Sequence, residues 1–331
     1  MAAGLSVSVL IPAFRPTFLG QAIASVLAQG HEDFELIVSD DSGGGELLPI
    51  VERFRDPRIL YVRTAGRTGG VQNMRSLWPL AKHDLVQYLF DDDLLMPHAL
   101  GTLVDEIAAA PDSSFAFGPR QIVDHRGRIL QAPQPFSVAR GRLTHAQIAQ
   151  SMLTRIVNPV GEFSNVMINR AAGITDADLV AYEGFEMRVV SDVGFYLNAT
   201  LRAPCAAVNT VVGAFRRHQN QASSPAFNPW FAVGLCEWEL YIRGEHRRGV
   251  LSAADTLTAV EKLASGYVHW SKTVPLIGRM IPSLQELRQR VEVGDTEVLD
   301  DVFGARWQAF VAEVAEEKAR RETRGSIEAA S

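Results

Sequence analysis

The chain has 331 residues, 47% of them hydrophobic, enough to bury one large core or two modest ones. A formal net charge of −6 argues against a broad polyanion-binding surface and points away from genomic nucleic acid as a partner. Only Cys205 and Cys236 occur, without CxxC spacing, so neither a disulfide framework nor a cysteine zinc site is suggested.

The opening stretch, MAAGLSVSVLIPAF, lacks the basic segment of a signal peptide, and Pro12 breaks its apolar run. No later run approaches ~18 uninterrupted apolar residues, so the expectation is a cytoplasmic, non-spanning protein. Residues 6–12 (SVSVLIP) predict a strand, and residues 17–29 place Leu19, Ile23, Val26 and Leu27 on one helical face. The alternation continues with strands at 34–39, 59–63 and 85–90 and helices at 46–54 and 71–80. Short apolar strands separated by amphipathic helices imply an α/β fold with a mixed, mostly parallel sheet flanked by helices.

In such sheets ligands sit at the carboxyl ends of the strands. Here those ends carry Pro12-Ala13-Phe14-Arg15, Asp40-Asp41-Ser42-Gly43-Gly44-Gly45, the loop from Thr64 to Gly70, and Asp91-Asp92-Asp93. Two acidic clusters and two glycine-containing loops on one rim suit a ligand that combines hydroxyls, a base and metal-held phosphates. Asp40 to Gly43 also fits a turn with a helix cap, and Gly69-Gly70 a loop-to-helix junction. Three adjacent carboxylates repel one another, and capping needs one of them, so a cation or a ring of donors is expected around the triplet.

The pieces SVSVLIPAF (6–14), AIASVLAQ (22–29), DFELIVSDDS (33–42), GRTGGVQNMR (66–75) and LFDDDLLMP (89–97) follow one another over roughly the first 120 residues. In order and spacing they resemble family 2 glycosyltransferases of the GT-A fold, of the bacterial cell-surface glycan type. The resemblance implies a nucleoside-diphosphate sugar as donor, a divalent cation (Mn2+ or Mg2+), and inversion at the anomeric carbon. It implies that Pro12, Ala13 and Phe14 border the nucleotide and that Asp40 accepts a hydrogen bond from the base, with Asp41 supporting the loop. Arg67 and Asn73 fall where the family places residues around the base, ribose or phosphates. The acidic motif aligns either as Asp-X-Asp-Asp from Phe90 or as a pair on Asp91 and Asp92. Asp92 is common to both and is the expected metal ligand, Asp91 contacts ribose or metal, and Asp93 supports them or caps the next helix.

In the second half, residues 162–169 (EFSNVMIN) predict a strand and residues 193–201 a helix. The context VVSDVGFYLNA makes Asp192 resemble the family's general base, with Glu183 and Glu186 as fallbacks; an N-cap is a compatible role. Residues 211–224 (VVGAFRRHQNQASS) resemble a family segment that brings His218 to the metal or diphosphate, and Arg216 and Arg217 beside it suggest a phosphate-facing pocket. Residues 222–230 are a candidate lid.

The expected organisation is a catalytic domain over 1–227, with a nucleotide-sugar half (1–120) and an acceptor half (121–227), then a helical region over 228–324 and a disordered tail over 325–331. Helices are expected at 230–246, 253–270 and 299–317. The last carries Val302, Phe303, Trp307, Phe310, Val311 and Val314 at helical spacing, a stripe open to core packing, homodimer formation or peripheral contact with the inner face of the plasma membrane. The acceptor expected from the family is a glycan or a lipid-linked glycan. Two other functions remain open: a nucleotide-sugar-binding protein without catalysis, and a phosphohydrolase using Asp91 and Asp93.

Overall fold

The computed structural model describes residues 5–131, 141–219, 221 and 228–330. The first half alternates as predicted, through β1 (Val7–Ala13), α1 (Pro16–Leu27), β2 (Phe34–Asp40), α2 (Leu48–Val51), β3 (Ile59–Arg63), α3 (Gly70–Leu77) and β4 (Leu85–Tyr88). There follow β5 (Leu94–Leu95), α4 (Ala99–Ala109), β6 (Phe115–Phe117), β7 (Arg120–Val123), β8 (Ile129–Gln131), β9 (Gly141–Leu143) and α5 (His145–Leu153). Then come β10 (Val166–Asn169), α6 (Asp176–Val180), β11 (Ala181–Tyr182), β12 (Phe185–Glu186), α7 (Ser191–Arg202), β13 (Cys205–Ala207) and β14 (Gly213–Arg216). The chain closes with α8 (Phe231–Arg247), α9 (Ala253–Trp270), α10 (Ile281–Glu292) and α11 (Asp301–Ala330).

Among the described residues the main sheet has the order β3-β2-β1-β4-β10-β6-β13-β9. The first four strands are parallel, while β10 runs antiparallel to both of its neighbours. Every residue of β1 and β2 is buried, which is why both read as near-continuous apolar runs rather than alternating ones. On α1, Leu19, Ala22, Ile23 and Val26 face this core, and Pro16 fits the first helical position because no N–H is needed there. The chain goes from β1 outward to β2 and β3, then returns to place β4 on the other side of β1. The ends of β1 and β4 therefore form the switch point at which open α/β sheets bind ligands.

Two expected boundaries shift for local reasons. The helix expected at 46–54 is shorter, Leu48–Val51, and the Leu47 N–H just before it is satisfied by Asp40 Oδ2. The strand expected from 162 begins at Val166, after a 3₁₀ turn at Phe163–Asn165. There the Gln87 side chain takes the carbonyls of Phe163 and Ser164, and Ser164 Oγ accepts the Phe90 N–H. A second sheet, β5-β14-β7-β8, had no sequence signal because β5 has two residues.

The chain divides into two compact units, one of Met1–His145, Pro159–Val180 and Phe195–His218, the other of Ala146–Asn158, Ala181–Gly194 and Gln219–Ser331. This differs from the single boundary expected after residue 227, since two mid-chain segments belong with the helical region. Residues 222–227 of the candidate lid (222–230), residues 132–140 of the expected acceptor half, and Ser331 lie outside the described residues. Where a disordered tail was expected from residue 325, α11 runs on to Ala330. No helix among the described residues is long and apolar enough to cross a membrane.

In the second unit, Phe303, Trp307, Phe310 and Val314 of the predicted α11 stripe are buried, the core-packing role, with Phe303 and Trp307 against Phe185. Every residue of α8 from Ala232 to His246 except Leu235 is buried, although the helix carries Glu237, Glu239, Arg243 and Glu245. Arg243 donates to Glu239, the Val298 carbonyl and Ser283, and Ser283 and Tyr267 donate to Glu239. Arg243→Ala should strand the Glu239 carboxylate in this interior and cost roughly 3–5 kcal/mol, read as a lower urea midpoint. A midpoint equal to that of the unsubstituted protein would show that solvent reaches the pair.

Candidate active site

The rim at the carboxyl ends of β1 to β4 is stitched together by its own carboxylates. Just beyond β4, Asp91 Oδ2 accepts the backbone N–H groups of Phe14 (2.7 Å) and Arg15 (2.8 Å), which tie the loop after β1 to the acidic motif. Burial and the adjacent Asp92 carboxylate push Asp91 up to about 6, against these two N–H groups and Arg15. Asp93 is buried and turned inward, accepting from Ser164 Oγ (2.7 Å) and the Arg216 N–H (3.0 Å). Burial, with Asp92 and Glu162 nearby, raises it well above the usual carboxylate range. The two aspartates that a phosphohydrolase would use are thus both engaged in holding backbone.

Asp92 differs from its neighbours. Its Oδ2 lies 2.9 Å from His218 Nε2. The register of the second sheet explains how residues so far apart in sequence meet. Ala214 of β14 pairs with Leu94 of β5, antiparallel, so following β14 onward leads back along the acidic triplet. Arg216 then lies over the motif and His218 reaches Asp92, with the Phe18 ring 5.3 Å from the imidazole.

Two atoms bound side by side to an octahedral ion at ~2.1 Å sit about 3.0 Å apart, so Asp92 and His218 have the spacing of two ligands of one ion. Among the described residues no group of three His, Cys, Asp or Glu side chains gathers to form a complete cage. A hard divalent ion that completes its shell with diphosphate oxygens and water needs no more than the pair provides.

The β2 end is more self-contained than its sequence suggests. Asp40, expected to meet the base, is buried and accepts from Ser42 N–H (2.8 Å), Leu47 N–H (3.3 Å) and Tyr61 O–H (2.6 Å). Burial pushes Asp40 upward, but these donors outweigh it and the net shift is downward. Asp41 is likewise buried and lowered. It takes the Thr64 and Thr68 hydroxyls and the Thr68 and Gly69 N–H groups, fixing the loop after β3. Arg67 is exposed on this loop, in the left-handed conformation (φ 52°).

Pro12 and Ala13 pair with Ser39 and Asp40 at the last positions of β1, and Phe14 beyond them is 42% exposed, leaving its ring available to a ligand. Asn73 on α3 donates to the Ala13 carbonyl, and its buried Oδ1 finds no hydrogen-bond partner among the described residues.

Arg216, expected to face a phosphate with Arg217, is instead buried. Its guanidinium donates to the carbonyls of Asp92, Asp124 and His125 and to Gln21, above the Phe18 ring. Arg217 is the exposed member of the pair. One contact had no sequence signal: the ion pair of Arg120 with Glu162, whose carboxyl burial pushes upward. Its partners are 42 residues apart and stand in no recognisable motif.

The three candidate bases lie in the second unit and are now unequal. Glu183 occupies a left-handed turn position (φ 50°) between β11 and β12, gripped by Arg247 and Arg248. Glu186 pairs with Arg188. Asp192 stands in the first turn of α7, where a carboxylate is electrostatically favoured, and is oriented by Asn158 Nδ2 at 2.8 Å.

A parallel sheet with its acidic switch point is shared by several enzyme classes, so the deciding observation is a comparison of sequence. Residues 8–172 match Glycosyl transferase family 2. The chain belongs to this family. It is 29% identical over 129 residues to Protein CgeD of Bacillus subtilis, covering 36% of this chain and 30% of that one. It is 34% identical over 103 residues to the GalNAc(5)-diNAcBac-PP-undecaprenol beta-1,3-glucosyltransferase of Campylobacter jejuni, covering 30% of this chain and 33% of that one. The matches thus span about a third of each of these two relatives.

Among solved structures, S. aureus TarS 1-349 in complex with UDP-GlcNAc superposes with a TM-score of 0.59 at 15% identity, over 96% of this chain and 92% of that one. At that identity the likeness is one of fold. It extends the GT-A assignment of this family 2 chain beyond the matched residues.

Proposed function

We propose that this family 2 protein is a metal-dependent, inverting glycosyltransferase that moves a sugar from a nucleoside-diphosphate sugar to a hydroxyl of a glycan or lipid-linked acceptor. The observation that carries this reading is the Asp92 and His218 pair at the end of β4, 2.9 Å apart at the switch point of the sheet. The glucosyltransferase relative and the fold shared with a UDP-GlcNAc complex support a sugar nucleotide as the donor.

In this reading Pro12, Ala13, Phe14, Arg67 and Asn73 border the nucleotide, and Arg217 offers its guanidinium to the diphosphate. Asp40 acts through the loop it orders. Asp92 and His218 would hold the divalent ion. Bound there, the ion supplies positive charge that stabilises the departing diphosphate. Asp91 fixes the Phe14 and Arg15 backbone beside it. Asp192 takes the proton from the acceptor hydroxyl as that oxygen forms its bond to the anomeric carbon, and the bond to the diphosphate oxygen breaks on the opposite face. One such displacement inverts the configuration. A cytoplasmic site of action is part of the proposal.

The test is calorimetric titration with UDP, dTDP and GDP, each with manganese and with EDTA. Binding of one nucleotide that depends on manganese is the expected result and names the base of the donor. Absence of binding to all three would overturn the donor site.

A further inference from the structure

We infer that Glu237 of α8 is a positioning residue for the general base, holding the segment that leads into Asp192 through its backbone N–H groups. The inference rests on the reading of Asp192 as the base. Glu237 is wholly buried, and its carboxylate accepts the backbone N–H groups of three consecutive residues: Arg188, Val189 (3.2 Å) and Val190 (2.7 Å). Asp192 follows two residues later, in the first turn of α7. Burying a carboxylate whose hydrogen bonds come from backbone N–H groups is costly, and an apolar side chain of that size would pack there more cheaply. Departures of this kind from ordinary core composition cluster at sites with a functional demand.

The neighbouring positions of α8 press on the same segment. One turn before Glu237 stands Gly234, where a Cβ would lie 2.6 Å from Val189 Cγ1, so only glycine lets the helix approach this closely. One turn after it, the Tyr241 hydroxyl donates to the Val190 carbonyl (3.0 Å), while a Cβ on Gly194 would run into Met187 Sδ. Glu237 therefore takes the N–H of Val190 and Tyr241 takes its carbonyl. The peptide groups on both sides of Val190 are fixed, and with them the direction in which α7 sets out. Asn158 orients the Asp192 carboxylate from a different segment. The Val193 N–H of α7 donates to the other oxygen of that carboxylate (2.9 Å), so the course of the backbone is passed directly to the base.

The variant Glu237→Gln keeps the size of the side chain but replaces one acceptor oxygen with an NH2 group that faces the three amides. The probe is the nucleoside-diphosphate sugar whose nucleotide binds in the titration above, with water as acceptor and nucleoside-diphosphate release as readout. Misplacing a base by a fraction of an ångström should slow turnover about tenfold, leave the KM for the donor unchanged, and speed amide exchange at residues 188–190. In an Asp192→Asn background the same substitution should cost less than about twofold, because a residue acting through another has no separate effect once that residue is gone.

Equal losses in both backgrounds would show a general structural role and overturn the inference. So would full turnover in Glu237→Gln with fast exchange at residues 188–190. The single variant Asp192→Asn reports on the base separately: normal turnover there removes the base assignment and the inference with it, whereas a slow Asp192→Asn with an unaffected Glu237→Gln overturns the inference alone. Should Glu237→Gln fail to fold, Tyr241→Phe removes one hydrogen bond from the same segment. It should show the same background dependence at about threefold, and equal effects in both backgrounds would count against the inference in the same way.

Discussion

Asp192→Asn should bind the nucleoside diphosphate as the unsubstituted protein does and turn over at least ~10²-fold more slowly, the usual scale for losing a general base. Asparagine preserves the shape of the side chain and one oxygen that can still accept the Val193 N–H at the start of α7, at the expense of the Asn158 amide bond. What it lacks is a group that can take a proton from the attacking hydroxyl. The two rivals are held by cations, Glu183 by Arg247 and Arg248 and Glu186 by Arg188, whereas Asp192 accepts from the neutral Asn158 amide and the Val193 N–H. Release of nucleoside diphosphate measured in single turnover, beside calorimetric binding, separates the two effects. A variant that binds and turns over normally would shift the role to Glu186, the exposed member of the pair of rivals.

The sheet was legible because its strands are buried on both faces and therefore apolar throughout, and because α1 shows its core-facing stripe at helical spacing. The acidic triplet was legible as a site because no structural role needs three adjacent carboxylates. Which carboxylate does what was not legible. That depends on partners far away in sequence, with Asp91 reading the N–H groups of Phe14 and Arg15, Asp93 reading Ser164, and Asp92 left to His218. Arg216 and Arg217 look alike in sequence, yet one is buried and the other exposed: Arg216 is the last residue of β14, paired with Val123 of β7, and Arg217 lies beyond the strand.

Helix α8 shows the opposite failure. Its glutamates and Arg243 imitate a solvated face, and only tertiary burial reveals that they form an interior hydrogen-bonded network. Periodicity reports which face is apolar, but it cannot report a polar side chain whose partners are backbone groups of another segment. The buried ends of such side chains are also where the carboxylates of this protein do their ordering, at Asp41 for the loop after β3 and at Glu237 for the approach to α7. The half-buried Asp92 at the rim, facing His218, is the exception among them.

Asp92→Asn should abolish the part of nucleotide binding that depends on manganese, bringing affinity down to the level seen in EDTA. Loss of a group behind a metal ligand already costs ~10–100-fold in affinity, so loss of the ligand itself should cost at least ~10²-fold. The fold should persist, because the His218 imidazole is the partner that Asp92 Oδ2 gives up. Asp93→Asn provides the contrast. It disturbs the Ser164 and Arg216 contacts in the interior and should lower stability by roughly 1–3 kcal/mol. His218→Ala should weaken binding in manganese and leave it unaltered in EDTA, the pattern of a metal ligand and not of a direct nucleotide contact. If Asp92→Asn and His218→Ala both bind with unchanged affinity in manganese, the 2.9 Å pair is a structural hydrogen bond and the cation must be held elsewhere.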